Sequence, residues 1–141
     1  FKESINSISM KHFVFEEKTF HAYLNLCISS QEELQTYWRK KLGDNKLNLV
    51  QNKSLDGCHV VLEKDGELRR IIWVKDFDWS VRSQATLAHE LIHFVWSVLE
   101  DKQIPVTRDN EEVFSYYYDY FYAEIWWKLR KLNPKFKKKV K

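Results

Sequence analysis

Apolar and polar residues alternate over residues 11–16 (Lys-His-Phe-Val-Phe-Glu) and again over 21–28 (His-Ala-Tyr-Leu-Asn-Leu-Cys-Ile), the period of two that marks half-buried strands. The period then changes. Leu34, Tyr37, Trp38 and Leu42 recur at helical spacing, Ser30 with Glu33 makes a capping box, and Gly43 is a stop signal, so a helix is predicted between them. A second run of strands is expected within residues 47–77. Its clearest part is the pair of segments 58–63 and 68–74 around Lys64-Asp65-Gly66-Glu67, because Asp-Gly between such runs is a strong hairpin signal. Next comes a predicted helix from about residue 81 to 101, with Asp76-Phe77-Asp78-Trp79-Ser80 supplying polar caps. Leu87, Ala88, Leu91, Ile92, Phe94, Val95 and Trp96 make it apolar almost all round, which predicts burial in a core. Pro105 prevents its continuation, and a further helix is expected from about residue 110 to 131. These elements predict an α+β fold, a small antiparallel or mixed sheet packed on two helices of the second half.

Composition narrows the class. The chain has 141 residues with only 3 Gly and 2 Pro, and 16% of it is aromatic, which excludes a disordered or fibrous protein. One domain is expected over residues 1–131, followed by a basic tail over 132–141. No apolar run reaches the roughly 18 residues of a membrane helix and no signal-peptide pattern is present, so no membrane span and a cytoplasmic setting are expected. A start at Phe1 instead of Met leaves a processed leader open. Cys27 and Cys58 match no Cys-x-x-Cys pattern and read as two buried thiols in a reducing compartment, with a disulfide between them as the alternative. The net charge of +3 is unevenly spread: residues 128–141 hold eight basic side chains and no acid, against fifteen basic and twenty acidic in the rest. Such a tail is either a solvated terminus or a contact for an anionic partner, nucleic acid included; no helix-turn-helix or zinc-finger pattern accompanies it, so sequence-specific reading is not expected.

The candidate chemistry lies in Ala85-Thr86-Leu87-Ala88-His89-Glu90-Leu91-Ile92-His93-Phe94-Val95-Trp96, which carries His-Glu-x-x-His inside the predicted helix. Residues four apart share a helix face, so His89 and His93 can close on one ion from consecutive turns. Glu90 is turned roughly 100° from His89, where a carboxylate can act as general base on a metal-activated water without ligating the metal. A chain of this composition shows the pattern by accident on the order of 1 to 2 per cent of the time. The competing reading is a pair of core histidines bonded to neighbours, with Glu90 paired to a cation. His12 and His21 have no metal-like spacing with each other and are read as surface or packing residues; His59, a lone histidine in a strand, is read as a surface residue, with metal ligation as the alternative. Asp76 and Asp78 are read as caps, with support of a ligating histidine as the alternative.

A catalytic zinc site needs three protein ligands and an open position. Glu112 supplies the third at His-Glu-x-x-His-x18-Glu, with Glu111 as alternate at x17; a capping box from Asp109 to Glu112 is the purely local reading. His-Glu-x-x-His followed on a second helix by Glu112-Val-Phe-Ser-Tyr-Tyr resembles the gluzincin zinc metallopeptidases, in particular small proteins of bacteria and phages with little beyond this core. Ser115 fits the small residue that follows the family's ligand glutamate by three. The resemblance covers residues 84–120 and implies a zincin-like core with one Zn2+ on His89, His93 and Glu112, Glu90 as base, and a peptide or protein substrate paired to the strand beside the motif helix, the 68–75 segment or its hairpin partner. It departs from the family where the aminopeptidase Gly-x-Met-Glu-Asn loop is missing, and where Tyr116 stands in place of an acid. Tyr116 or Tyr120, with Asp119 near the same face, is the candidate phenol for an oxyanion. The expected function is zinc-dependent hydrolysis of a peptide bond, endopeptidase in type because the amine-reading loop is missing. The alternatives are a catalytically silent module of the same fold that acts through the basic tail, and a hydrolase of some other amide or ester. A deaminase lacks its Pro-Cys-x-x-Cys ligands here. The oligomeric state is open.

Overall fold

The computed structural model describes residues 10–43 and 56–133, with Lys135. Its elements are β1 (Lys11–Glu17), β2 (Ala22–Ile28), α1 (Gln31–Leu42), β3 (Gly57–Lys64), β4 (Glu67–Val74), α2 (Val81–Asp101) and α3 (Glu111–Leu129), closed by a 3-10 turn (Arg130–Leu132). The strand signal expected before residue 56 and most of the basic tail fall outside the described residues.

Local signals build the elements. The Glu33 amide donates to Ser30 Oγ (3.1 Å) and the Ser30 amide to Glu33 Oε1 (3.0 Å), so both halves of the capping box are made. Such a cap stabilises a helix by about 1 kcal/mol. Gly43 ends α1 at φ 100°, a region that a Cβ disfavours. Asp65 and Gly66 take φ 54° and 81°, the two positive values that a two-residue type I′ turn demands. The register follows from that turn, Lys64 opposite Glu67 and His59 opposite Ile72.

The strands form one mixed sheet ordered β1-β2-β4-β3, antiparallel at both ends and parallel between β2 and β4. β4 is thus interior. Of the two strands expected to offer an edge beside the motif helix, the 68–75 segment is paired on both sides, and the edge is its hairpin partner β3. Alternation divides β2 and β4 between two cores. Cys27, Leu62, Ile71 and Trp73 face α1 with Leu34, Trp38 and Leu42, while Leu24, Leu26, Ile72 and Val74 face α2 and α3. Cys27 and Cys58 both pair with Trp73, from opposite sides. They are therefore two strand spacings apart, roughly 9.5 Å, beyond the ~7 Å reach of a disulfide. Both are free thiols, which excludes the disulfide alternative.

The motif helix departs from expectation in one respect. α2 buries Leu87, Leu91, Phe94, Val95, Val98 and Leu99, but Ile92 and Trp96 are 43% and 49% exposed. The apolar pattern ran round the helix, yet one flank faces solvent because the sheet and α3 cover it only in part. No helix among the described residues is long and apolar enough to cross a membrane.

Candidate metal centre

Ser80 opens α2 in an extended conformation, its Oγ accepting from the Ser83 amide at 3.1 Å. Asp78 Oδ1 accepts from the Ser80 amide at 3.0 Å, so Asp78 serves the cap as the sequence suggested. Three turns on, His89 and His93 stand on the solvent flank with their Nε2 atoms 3.2 Å apart. Their rings meet edge to face, centroids 4.8 Å apart. Glu90 lies on the neighbouring flank, 8% exposed. Ligand-capable atoms of His89, Glu90 and His93 all fall within 4.8 Å of one another, the one such group among the described residues.

Gly57 makes that burial feasible. A Cβ there would meet Thr86 Cγ2 and the Trp73 carbonyl at 2.9 Å and Glu90 Cγ at 3.6 Å, so only glycine lets the start of β3 lie against α2. β3 and α2 bound a groove of about 520 Å³ whose walls carry His59, His89, Glu90 and His93.

Electrostatics follow burial. Desolvation raises the Glu90 carboxyl above its ordinary value, opposed by the charges of His89 and His93. Burial, then Glu90, pushes the Cys58 thiol up to about 11, so it stays protonated beside the groove. His59 was expected at the surface. It is half-buried, its ring edge against Phe94 (6.2 Å) and its Nε2 buried without a hydrogen-bond partner among the described residues. Desolvation first, then the positive neighbours His93 and Arg70, lower its pKa to about 4, leaving a neutral imidazole at neutral pH. The signal that could have placed it was the hairpin register: it puts His59 opposite Ile72, on the face turned to α2.

The other candidates are more remote. Glu111 and Glu112 begin α3, both exposed, and neither belongs to the convergent group. The local explanation of Glu112 does not form either. The N-cap is Asn110, not Asp109, and its side chain makes no cap bond; Asn110 Nδ2 donates instead to the Pro105 carbonyl at 3.1 Å. The start of α3 runs along α2, as Phe114 against Trp96 (6.3 Å) shows, and Tyr118 donates to the Ala88 carbonyl at 3.4 Å. Tyr116 is 69% exposed and does not line the groove. Tyr120 donates to the Glu16 carbonyl (2.8 Å), and Asp119 is exposed. Of the other histidines, His21 is exposed and His12 is half-buried on the far side of the sheet.

The spacing of His89 and His93 fits two ligands of a zinc ion. Two imidazole nitrogens bound at 2.0–2.1 Å with tetrahedral angles stand about 3.3 Å apart, close to the observed 3.2 Å. Without an ion, the same spacing is one imidazole donating to the other. The orphaned Nε2 of His59 in the same groove adds a buried polar atom that the described protein groups leave unsatisfied. Comparisons with known proteins add no assignment: no family model, no curated protein and no solved structure matches this chain.

Proposed function

We propose that this protein is a zinc-dependent hydrolase of the metallopeptidase type, with a zincin-like arrangement of motif helix, edge strand and ligand helix. The observation that carries the reading is the pair of Nε2 atoms 3.2 Å apart with the buried Glu90 beside them, in a groove walled by β3, an edge strand among the described residues. His89 and His93 would hold the ion, and Glu112, at the start of α3, would be the third ligand in line with the resemblance. Bound zinc supplies a Lewis acid for the scissile carbonyl and brings a water's pKa towards neutrality.

The chain's own groups do the rest. Glu90 takes a proton from the attacking water and passes it to the departing amine, and its burial favours the neutral form that must exist between those two transfers. β3 presents one unpaired backbone edge among the described residues, on which an extended peptide can add as a further strand. Strand addition reads backbone and so admits many sequences, which suits a peptide substrate.

The test is elemental mass spectrometry of protein purified without chelator, alongside cleavage of a peptide library. About one zinc per chain, lost in His93→Ala and Glu112→Ala but kept in Glu90→Gln, supports the ligand set. A wild type that takes up no zinc even when incubated with it would overturn the enzyme reading and leave His89 and His93 as paired surface imidazoles.

A further inference from the structure

On the flank of α2 that carries the histidines, Trp96 and Glu100 follow His93 at helical spacing of three and seven. Both line the metal groove. Both also line a second hollow of about 520 Å³, closed on its other side by Ile104, Pro105 and Val106. The two spaces therefore share a wall.

The hollow is built and not a gap between mobile ends. After α2 the Gln103 amide donates to the Glu100 carbonyl (3.0 Å) and the Ile104 amide to the Leu99 carbonyl (2.9 Å), with Gln103 in the left-handed region at φ 60°. Asn110 Nδ2 then holds the Pro105 carbonyl. Ile104 and Val106 pack from their other sides against the main core. The loop thus shows the hollow a floor of branched and ring carbons, with the half-exposed Trp96 as the partition and Glu100 also in its lining.

We propose that this hollow is a specificity subsite of the groove, taking a leucine- or phenylalanine-like side chain of a peptide substrate and rejecting an acidic one. The inference rests on the hydrolase reading above. Its occupant follows from continuity and spacing. One helix turn separates His93 from Trp96, ~5 Å along the axis, and an extended peptide advances ~3.4 Å per residue. A chain lying in the groove with its scissile bond at the histidines therefore brings a side chain one or two residues away over the hollow. Burial there removes carbon from water on both sides at once, whereas a carboxylate would meet Glu100 without a counter-charge among the lining residues.

The experiment is calorimetric titration of the zinc-loaded full chain with dipeptide hydroxamates that differ only in one side chain: glycine, leucine, phenylalanine or aspartate. Leucine and phenylalanine compounds are expected to bind at least tenfold tighter than glycine, about 1.4 kcal/mol, and aspartate weaker than glycine. Val106→Asp and the milder Ile104→Ser should remove the gain while leaving the glycine compound's affinity unchanged, which also reports that each variant is folded. Equal binding of glycine and leucine compounds, or a leucine gain that survives both substitutions, overturns the subsite and leaves the metal centre standing. Failure of the chain to take up zinc, or of every hydroxamate to bind, overturns the hydrolase reading and the subsite with it.

Discussion

The two faces of the sheet treat histidine in opposite ways. On the α1 side, His12 Nε2 lies 2.9 Å from Asn25 Oδ1 and Nδ1 lies 3.1 Å from Tyr37 Oη, so Nε2–H donates, Nδ1 accepts, and both nitrogens are satisfied. Asn25 is fixed in turn by donating to the Arg70 carbonyl (3.2 Å). On the α2 side, His89 and His93 have each other, and the buried Nε2 of His59 has no partner among the described residues. A histidine that serves structure is closed by its neighbours. Those of the groove are not closed in this way, and among the described residues His89 and His93 converge with Glu90.

That contrast can be broken in order of effect. Glu90→Gln should lower peptide cleavage by about 10² to 10⁴-fold with zinc content unchanged, read by steady-state kinetics beside elemental analysis. His89→Ala should lose the metal yet leave the chelated protein's stability within about 0.5 kcal/mol of the wild type in urea unfolding, because its flank is exposed. His12→Ala should do the reverse, costing about 1–3 kcal/mol by orphaning Asn25 and Tyr37 while zinc is retained. Equal destabilisation by the two alanine changes would erase the distinction.

Glu17 extends the comparison to a closed acid. Burial raises its pKa, but hydrogen bonds from the Phe20 amide, the Tyr117 hydroxyl (2.7 Å) and Thr19 outweigh that and set it below the ordinary glutamate value. A depressed folded-state pKa gives stability that is present above the unfolded value and lost as pH falls through the folded one. Wild-type stability should therefore drop as pH falls below the usual glutamate range, and Glu17→Gln should flatten that drop in acid unfolding curves. The smallest expected signal is from the thiols. Burial pushes Cys27 up to about 12, so at pH 8 it should react with an aromatic disulfide only at the rate of unfolding, whereas the half-buried Cys58, raised to about 11, should react slowly in the native protein.

Features fixed by neighbours in sequence were legible in advance: the Ser30 cap, the Asp65-Gly66 turn, and the span of α2 with its three convergent side chains. Features fixed by distant pairing were not. The parallel match of Leu24–Ile28 with residues 70–74 brings together strands that the chain separates by α1, and no local pattern announces it. That pairing makes β3 the edge and holds Cys27 and Cys58 apart. Hydrophobicity misled at Ile92 and Trp96 because it reports transfer preference, not whether a neighbour exists to receive the side chain. His59 failed for the converse reason: its type suggests surface, while its register beside Ile72 places it inside.

Gly57 gives the groove its width by subtraction. The gap between edge strand and base is set by an atom that is not there, so the smallest possible enlargement of a side chain, one methyl, would act as a shim driven between sheet and helix. The aperture of this protein is thus adjustable at a position that itself contributes no chemistry, and a strand shifted outward there would carry its backbone away from the histidines while every candidate ligand kept its identity.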